Sequence, residues 1–98
     1  MSYNMKNENM DNLFKAVLCL KSIEECYRFF EDLCTVSELK SLNQRFEVAK
    51  MLNNKCVYTD IAAQTGASSA TISRVSRSLM YGSGGYRLLL DRLGSEFR

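Results

Sequence analysis

The stretch of residues 58–79, YTDIAAQTGASSATISRVSRSL, decides the fold. Thr59 can cap a two-turn helix over residues 60–65, and the aspartate at its first position complements the helix dipole. Gly66 then supplies the positive φ that a sharp turn demands. Because serines that can cap another helix follow within three residues, the stretch predicts two short helices joined by a tight turn.

The second of these helices is predicted from its cap and its stop. Ser68 and Ser69 are both suitable N-cap residues, and the helix should run through about Met80. The Gly-Ser-Gly-Gly run at residues 82–85 then breaks the chain. A last short helix fits residues 86–93, and its predicted packing contacts are Leu89, Leu90 and Leu93.

The side chains of this unit are spaced as in a DNA-binding helix-turn-helix. Ala62, four residues before the turn glycine, is small enough to let two crossing helices touch. The core beneath is predicted to contain Ile61, Ile72 and Val75. The outward face of the second helix should then carry Ser69, Ala70, Ser73, Arg74 and Arg77.

These outward residues have the chemistry of a surface that reads a DNA groove. Ser69 and Ser73 can offer hydroxyls to base edges, and the methyl group of Ala70 suits thymine. Arg74 and Arg77 suit phosphates or guanine. The predicted DNA contacts are Lys55, Thr59, Ser68, Ser69, Ala70, Thr71, Ser73, Arg74 and Arg77, of which Lys55, Thr59 and Thr71 contact the flanking backbone.

Charge is distributed unevenly along the chain. The net charge is only +2, but residues 55–98 hold six Lys/Arg against three Asp/Glu, whereas residues 1–54 hold seven against eight. No acidic residue lies between Asp60 and Asp91. A phosphate backbone could therefore approach this interval without repulsion between like charges.

The N-terminal half predicts a partner chain. A sequence of 98 residues with 46% hydrophobic residues predicts one all-α domain over residues 1–98, with residues 1–10 as a flexible tail. Apolar residues at helical spacing predict one long helix from Asp11 to about Leu33. Its first half is apolar nearly all round, which a helix on one side of a small monomer cannot satisfy. We therefore expect a homodimer.

A capping box, Thr35-Val36-Ser37-Glu38, marks the start of the next helix. Asn53 and Asn54 can adopt the left-handed geometry that ends it. Its predicted buried stripe is Leu39, Leu42, Phe46, Ala49 and Leu52. Its predicted exposed positions include Lys40, Arg45 and Lys50.

Other classes of protein are disfavoured. The sequence shows neither an apolar run long enough to span a membrane nor a secretory leader, so we expect a cytoplasmic protein. Without histidine and without a C-x-x-C pair, a metal site is disfavoured, and we expect reduced thiols at Cys19, Cys26, Cys34 and Cys56. No general base stands near a nucleophile, so we predict neither an enzyme nor a cofactor.

Residues 60–74, and above all the A-T-I-S-R run at 70–74, resemble the Trp repressor family, in particular its YerC/YecD branch of TrpR-like proteins. The resemblance covers residues 39–79 most strongly. It implies an intertwined all-α dimer whose two reading helices enter successive major grooves of double-stranded DNA. It also implies a transcription regulator, and a repressor in particular.

The resemblance also implies where a ligand would bind. In the Trp repressor two arginines clamp the indole of tryptophan, and they match Arg45 and Arg74. The family pocket has a glycine directly after the second arginine, where this chain has Val75. A branched side chain fills the slot that the indole would occupy. We therefore expect that tryptophan does not bind and that the two arginines contact phosphate or form surface ion pairs. The sequence does not identify any other small-molecule effector.

A different interpretation of the same helices is a protein interaction module that does not bind DNA specifically. The apolar first helix and the weak net charge favour it. Retention of a protein partner without binding of any duplex would distinguish this interpretation from the regulator.

Overall fold

The structure is a computed structural model that describes residues 6–94. The described residues form six helices and no strand, which confirms the all-α prediction. The helices are α1 (Glu8–Val17), α2 (Ile23–Leu33), α3 (Val36–Asn53), α4 (Tyr58–Thr65), α5 (Ser69–Tyr81) and α6 (Gly85–Leu93). No helix in residues 6–94 is both long and apolar enough to cross a bilayer. The chain divides into two compact units, Met1–Val36 and Ser37–Arg98.

The first unit contains α1 and α2, and the single helix predicted over residues 11–33 is wrong. Residues 18–22 separate the two helices. Ser22 Oγ accepts a hydrogen bond from the backbone N–H of Glu25 at 3.0 Å, and Oε1 of Glu25 accepts one from the N–H of Lys21 at 2.9 Å. Because these bonds satisfy amides that a helix start leaves unpaired, the Ser-Ile-Glu-Glu sequence begins a new helix within an apolar pattern that otherwise reads as continuous.

The flexible tail predicted for residues 1–10 is too long. Asn7 Oδ1 accepts from the N–H of Met10 at 2.8 Å, and α1 begins at Glu8. An asparagine cap followed by acidic residues in the first turn stabilises a helix start. The part of the predicted tail at residues 1–5 lies outside the described residues.

The helices of the first unit leave their apolar surface uncovered. Neither α1 nor α2 contains a buried residue. Leu18 is 84% exposed and Ile23 is 78% exposed. Large apolar side chains in water are unfavourable, and these residues give the first unit an exposed apolar surface.

In the second unit, the left-handed residue that terminates α3 is Lys55 rather than either of the predicted asparagines. Lys55 has a φ of 64° and is the only non-glycine residue with a positive φ in residues 6–94. Its N–H donates to the carbonyl of Leu52 at 3.0 Å, and the N–H of Cys56 donates to the carbonyl of Met51 at 3.0 Å. This pair of bonds is a Schellman motif. Packing determines the position of this motif in the chain, because Met51 and Cys56 both lie against the hydrophobic core.

The core of the second unit joins α3, α4, α5 and the turn between the last two. Its buried side chains are Val48, Ala49, Ile61, Ala67, Ile72 and Val75. The burial predicted for Ala49 and for the three helix-turn-helix residues is confirmed, whereas Val48 was not predicted. Leu42, predicted to be buried, is 41% exposed. It lies on the face of Ala49 but about two turns earlier, beyond the buried cluster.

The end of the unit is set by the glycine break that the sequence predicts. A Cβ at Gly82 would overlap the carbonyl oxygen of Ser78. Of the predicted packing residues of α6, Leu90 is buried, whereas Leu89 is 49% exposed. Arg87 Nη1 donates to Asn53 Oδ1 at 2.9 Å and so ties α6 to the end of α3.

Candidate nucleic-acid interface

The first helix of the helix-turn-helix unit, α4, begins earlier than predicted. Its N-cap is Val57, which makes no side-chain capping bond, so the prediction of Thr59 as the cap is wrong. Thr59 is exposed at the second position of α4. The Schellman motif that ends at Cys56 leaves one residue before α4, and this short connection fixes the helix start.

The turn between α4 and α5 is held by Thr65 and Gly66. Gly66 has a φ of 72°, as predicted, and its N–H donates to the carbonyl of Ala62 at 2.9 Å. The hydroxyl of Thr65 donates to the carbonyl of Ile61 at 2.7 Å and accepts from the N–H of Ala67 at 3.1 Å. Thr65 therefore closes the turn from both sides, a role that the sequence analysis missed although threonine at a helix end is a recognised local capping signal.

The start of α5 confirms Ser68 as the N-cap. Ser68 Oγ accepts from the N–H of Thr71 at 3.1 Å and donates to Thr71 Oγ1 at 3.1 Å. The capping hydroxyl thus uses its proton within the helix. Because the Thr71 oxygen accepts the hydroxyl proton of Ser68, the hydroxyl proton of Thr71 itself is available for a hydrogen bond to another group.

The two faces of α5 differ in burial, as predicted. Ile72, Val75 and Leu79 are buried. The exposed residues include all five predicted for the outward face, Ser69, Ala70, Ser73, Arg74 and Arg77. Thr71 is half-buried at the edge of this face, whereas Ser68, Thr59 and Lys55 are exposed in the adjoining turns and in α4.

The arginines of the outward face have no carboxylate partner among the described residues. Within residues 6–94 neither Arg74 nor Arg77 pairs with a carboxylate, and the ion pair found there joins Lys50 to Glu47 at 3.1 Å. Exposed guanidinium groups without a partner attract anions. The face of α5 therefore combines small hydroxyl and methyl groups with two positive charges that are available to a polyanion.

A cavity of about 330 Å³ lies beside this face, between α3 and the start of α5. Its lining residues are Ser41, Gln44, Arg45, Ala70, Thr71 and Arg74. The structure thus brings together Arg45 and Arg74, the two arginines that the resemblance pairs. Arg45 is half-buried rather than exposed, and its Nη1 donates to Ser41 Oγ at 2.9 Å.

Val75 does not line this cavity. It is 1% exposed and belongs to the core cluster. Its assignment to a possible ligand pocket is therefore corrected, because the branched side chain points to the buried side of α5. The cavity itself contains two guanidinium groups and a threonine hydroxyl, a donor set that suits a phosphate or carboxylate oxygen. Among the described residues no group of His, Cys, Asp and Glu side chains could hold a metal ion.

Comparison with known proteins places this arrangement in a family. The family model described as Trp repressor protein matches residues 8–94. The protein YerC of Bacillus subtilis (strain 168) is 53% identical over 89 residues, which cover 91% of this chain and 86% of that protein.

Two solved structures show the same fold. A TrpR-like protein from Eubacterium eligens ATCC 27750 is 56% identical with a TM-score of 0.90, over 93% of this chain and 94% of that one. A protein from Staphylococcus aureus described as a candidate Trp repressor is 48% identical with a TM-score of 0.89, over 96% and 92% of the two chains. With its helix-turn-helix unit in place and nearly its whole described length matched, this chain belongs to the Trp repressor family of DNA-binding regulators.

Proposed function

We propose that this protein is a sequence-specific regulator of transcription, a repressor, that binds double-stranded DNA as a homodimer. The observation that carries the proposal is the outward face of α5. Its side chains are exposed, its two arginines pair with no carboxylate in residues 6–94, and the apolar side chains on the opposite face are buried. A rigid helix with one free polar and basic face is what the major groove accepts.

The proposed base contacts come from the first turns of α5. Ser69, Ala70 and Ser73 are small and exposed, so the backbone of the helix can approach base edges closely. Arg77, one turn further along the exposed face, can reach a phosphate or a guanine. Specificity then rests on two hydroxyls, a methyl group and one long side chain.

The proposed base contacts, Ser69, Ala70, Ser73 and Arg77, form the reading surface, and the proposed phosphate contacts surround it. Arg45 and Arg74 share one cavity with the hydroxyl of Thr71, and this cavity can take a phosphate group of the DNA backbone. Ser68, Lys55 and Thr59 lie in the adjoining turns and in α4, where they can contact the flanking backbone. Such contacts fix the position of the protein on the duplex without reading sequence.

We propose that a second copy of the chain covers the apolar surface of α1 and α2. Neither helix buries a residue, and Leu18 and Ile23 are more than three-quarters exposed in the single chain. If this surface packs against the same surface of a second copy, the apolar side chains of both chains are buried, as in a two-fold dimer. The Trp repressor family, to which the chain belongs, forms dimers.

We further propose that the regulator does not need tryptophan. This part of the proposal rests on a sequence difference: the residue directly after the second arginine, a glycine in the family pocket, is Val75 here, although its side chain packs into the core and does not line the cavity of Arg45 and Arg74. Affinity for the operator is expected to be the same with and without added tryptophan. A tryptophan-dependent gain in affinity would contradict this part of the proposal.

Selection from random duplexes tests the function directly. The protein is incubated with the library at about 50 and about 200 mM salt, and bound duplexes are sequenced; phosphate-driven binding weakens between these two concentrations. We expect an enriched two-fold symmetric sequence at both. Absence of any enriched sequence would contradict specific DNA binding.

The exposed apolar residues of α1 and α2 also favour a second candidate, a protein interaction module. On that hypothesis the surface that includes Leu18 and Ile23 binds a different protein. A 1:1 complex with another protein, together with failure to bind any duplex, would support the module over the regulator.

A further inference from the structure

The peptide unit between Thr65 and Gly66 is held at both ends, by two different helices. Its N–H donates to the carbonyl of Ala62 in α4 at 2.9 Å. Its carbonyl oxygen accepts from Nε2 of Gln44 in α3 at 3.1 Å, across 21 residues of sequence. The orientation of this one peptide plane is therefore fixed by bonds from α3 and α4 together.

This peptide plane is the one that sets the direction of α5. It directly precedes Gly66, whose φ of 72° turns the chain between the two helices. Glycine adopts negative φ about as readily as positive φ, so the residue itself does not hold the turn. Without the bond at its carbonyl, the plane keeps only the bond at its N–H, so the turn opens more often and the start of α5 is held less firmly against α3.

Helix α3 is a suitable anchor for such a bond. It contains Val48 and Ala49, both fully buried, and its end is closed by a Schellman motif. Helix α4 has only eight residues and no side-chain capping bond at its start. The longer helix therefore holds the turn more firmly than the short one can.

We propose that Gln44 is a positioning residue for DNA recognition, which preforms the reading surface by holding the Thr65 carbonyl. This inference rests on the proposed function. Gln44 also lines the cavity that contains Arg45 and Arg74, so the same bond keeps the wall of α3 in register with the start of α5. The surface is then ordered in the free protein, without a small-molecule effector.

Gln44→Met tests the bond, because methionine has similar length and helix propensity but no donor. Gln64→Met, at an exposed position of α4, is the matched control. Amide hydrogen exchange by NMR should become about fivefold faster at Gly66 and Ala67 in the Gln44 variant, the effect of losing one neutral hydrogen bond. Exchange at Val48 should stay unchanged, and the control should match the wild type. Unchanged exchange at Gly66 and Ala67 in Gln44→Met would overturn the proposal.

An isosteric variant separates the bond from general packing. In Gln44→Glu the side chain keeps its length and shape, but the ionised carboxylate has no N–H to donate, so exchange at Gly66 and Ala67 should be at least as fast as in Gln44→Met. Exchange as slow as in the wild type would show that shape, and not the donated bond, holds the turn.

Binding distinguishes positioning from stability. In Gln44→Met the affinity of the dimer for the selected duplex should fall about 25-fold, about fivefold for each protomer, while the affinity for a mixed-sequence duplex at the same salt stays unchanged, since the latter depends on phosphates. A lower melting temperature with an unchanged ratio of the two affinities would indicate a structural role only and overturn the proposal. If the wild type binds no duplex, the proposed function and this role both fail, and the exchange data still decide whether Gln44 holds the turn.

Discussion

Replacing Arg74 by alanine should reduce the salt dependence of DNA binding by a calculable amount. Arg74 is exposed, has no carboxylate partner in residues 6–94 and shares its cavity with Arg45. If it neutralises one phosphate, its removal changes the slope of log affinity against log salt by about 0.9. A dimer carries this arginine twice, so the slope should become shallower by about 1.8.

The change in slope sets an affinity ratio that can be measured. Between about 50 and about 200 mM salt the concentration rises fourfold, and the advantage of the wild type over Arg74→Ala should shrink about twelvefold. Fluorescence anisotropy with the selected duplex, over at least four salt concentrations, gives both slopes. The fold should be unaffected, because the side chain lies on the opposite face of α5 from Ile72 and Val75.

Arg92→Ala is the matched control for this measurement. Arg92 is an exposed arginine in the last turn of α6, away from the outward face of α5. Its removal changes the net charge equally but should leave the slope within experimental error of the wild type. An equal change of slope in the two variants would mean that only total charge matters. An unchanged slope in Arg74→Ala, with normal circular dichroism, would refute the phosphate contact.

Three further substitutions test the fold and the assembly. Ala62→Phe should lower the free energy of unfolding by about 1–3 kcal/mol or prevent folding, since Ala62 packs against the core. The control Ala63→Phe, at an exposed position, should be tolerated, and thermal melts compare the two variants. Gly66→Ala should lower the free energy of unfolding, measured in urea, by about 1–2 kcal/mol; the cause is backbone strain alone, because no atom lies within 4 Å of the added Cβ. The control Gly85→Ala has an ordinary helical φ and should leave that free energy unchanged. Leu18→Glu should shift sedimentation from dimer to monomer, and a dimer of unchanged affinity would place the interface elsewhere.

The helix-turn-helix unit could be predicted because its signals are local. The positive φ of Gly66, the cap at Ser68 and the burial of Ile72 and Val75 each follow from a residue and its near neighbours. At Ser22 the same local rules allow two interpretations: the apolar periodicity favours one continuous helix, whereas the capping sequence favours a new helix start. The periodicity predicted one helix, but the two bonds around Ser22 divide it.

The parts that sequence reasoning missed depend on contacts distant in sequence. The bond from Gln44 to Thr65 joins two helices, and nothing in either segment indicates the other. The left-handed residue at the end of α3 is Lys55 because Cys56 packs against the core, although asparagine has the better intrinsic preference. The sequence resemblance paired Arg45 with Arg74, but only the structure shows that Val75 packs into the core and does not line their cavity.

Helix α5 separates its two tasks by face, and this separation determines how its residues respond to substitution. Ile72 and Val75 are 1% exposed, so their truncation should cost stability of about 2–5 kcal/mol for isoleucine to alanine. Ser69, Ala70 and Ser73 contribute almost nothing to that core, so their replacement can alter the interactions with bases while the scaffold persists. Because the turn at Gly66 is fixed from α3 and α4, a new side chain on the outward face meets the groove in the same orientation as the old one. We therefore expect the preferred DNA sequence to change by substitution at these three positions, while the fold and the phosphate-binding side chains that position it on the duplex stay intact.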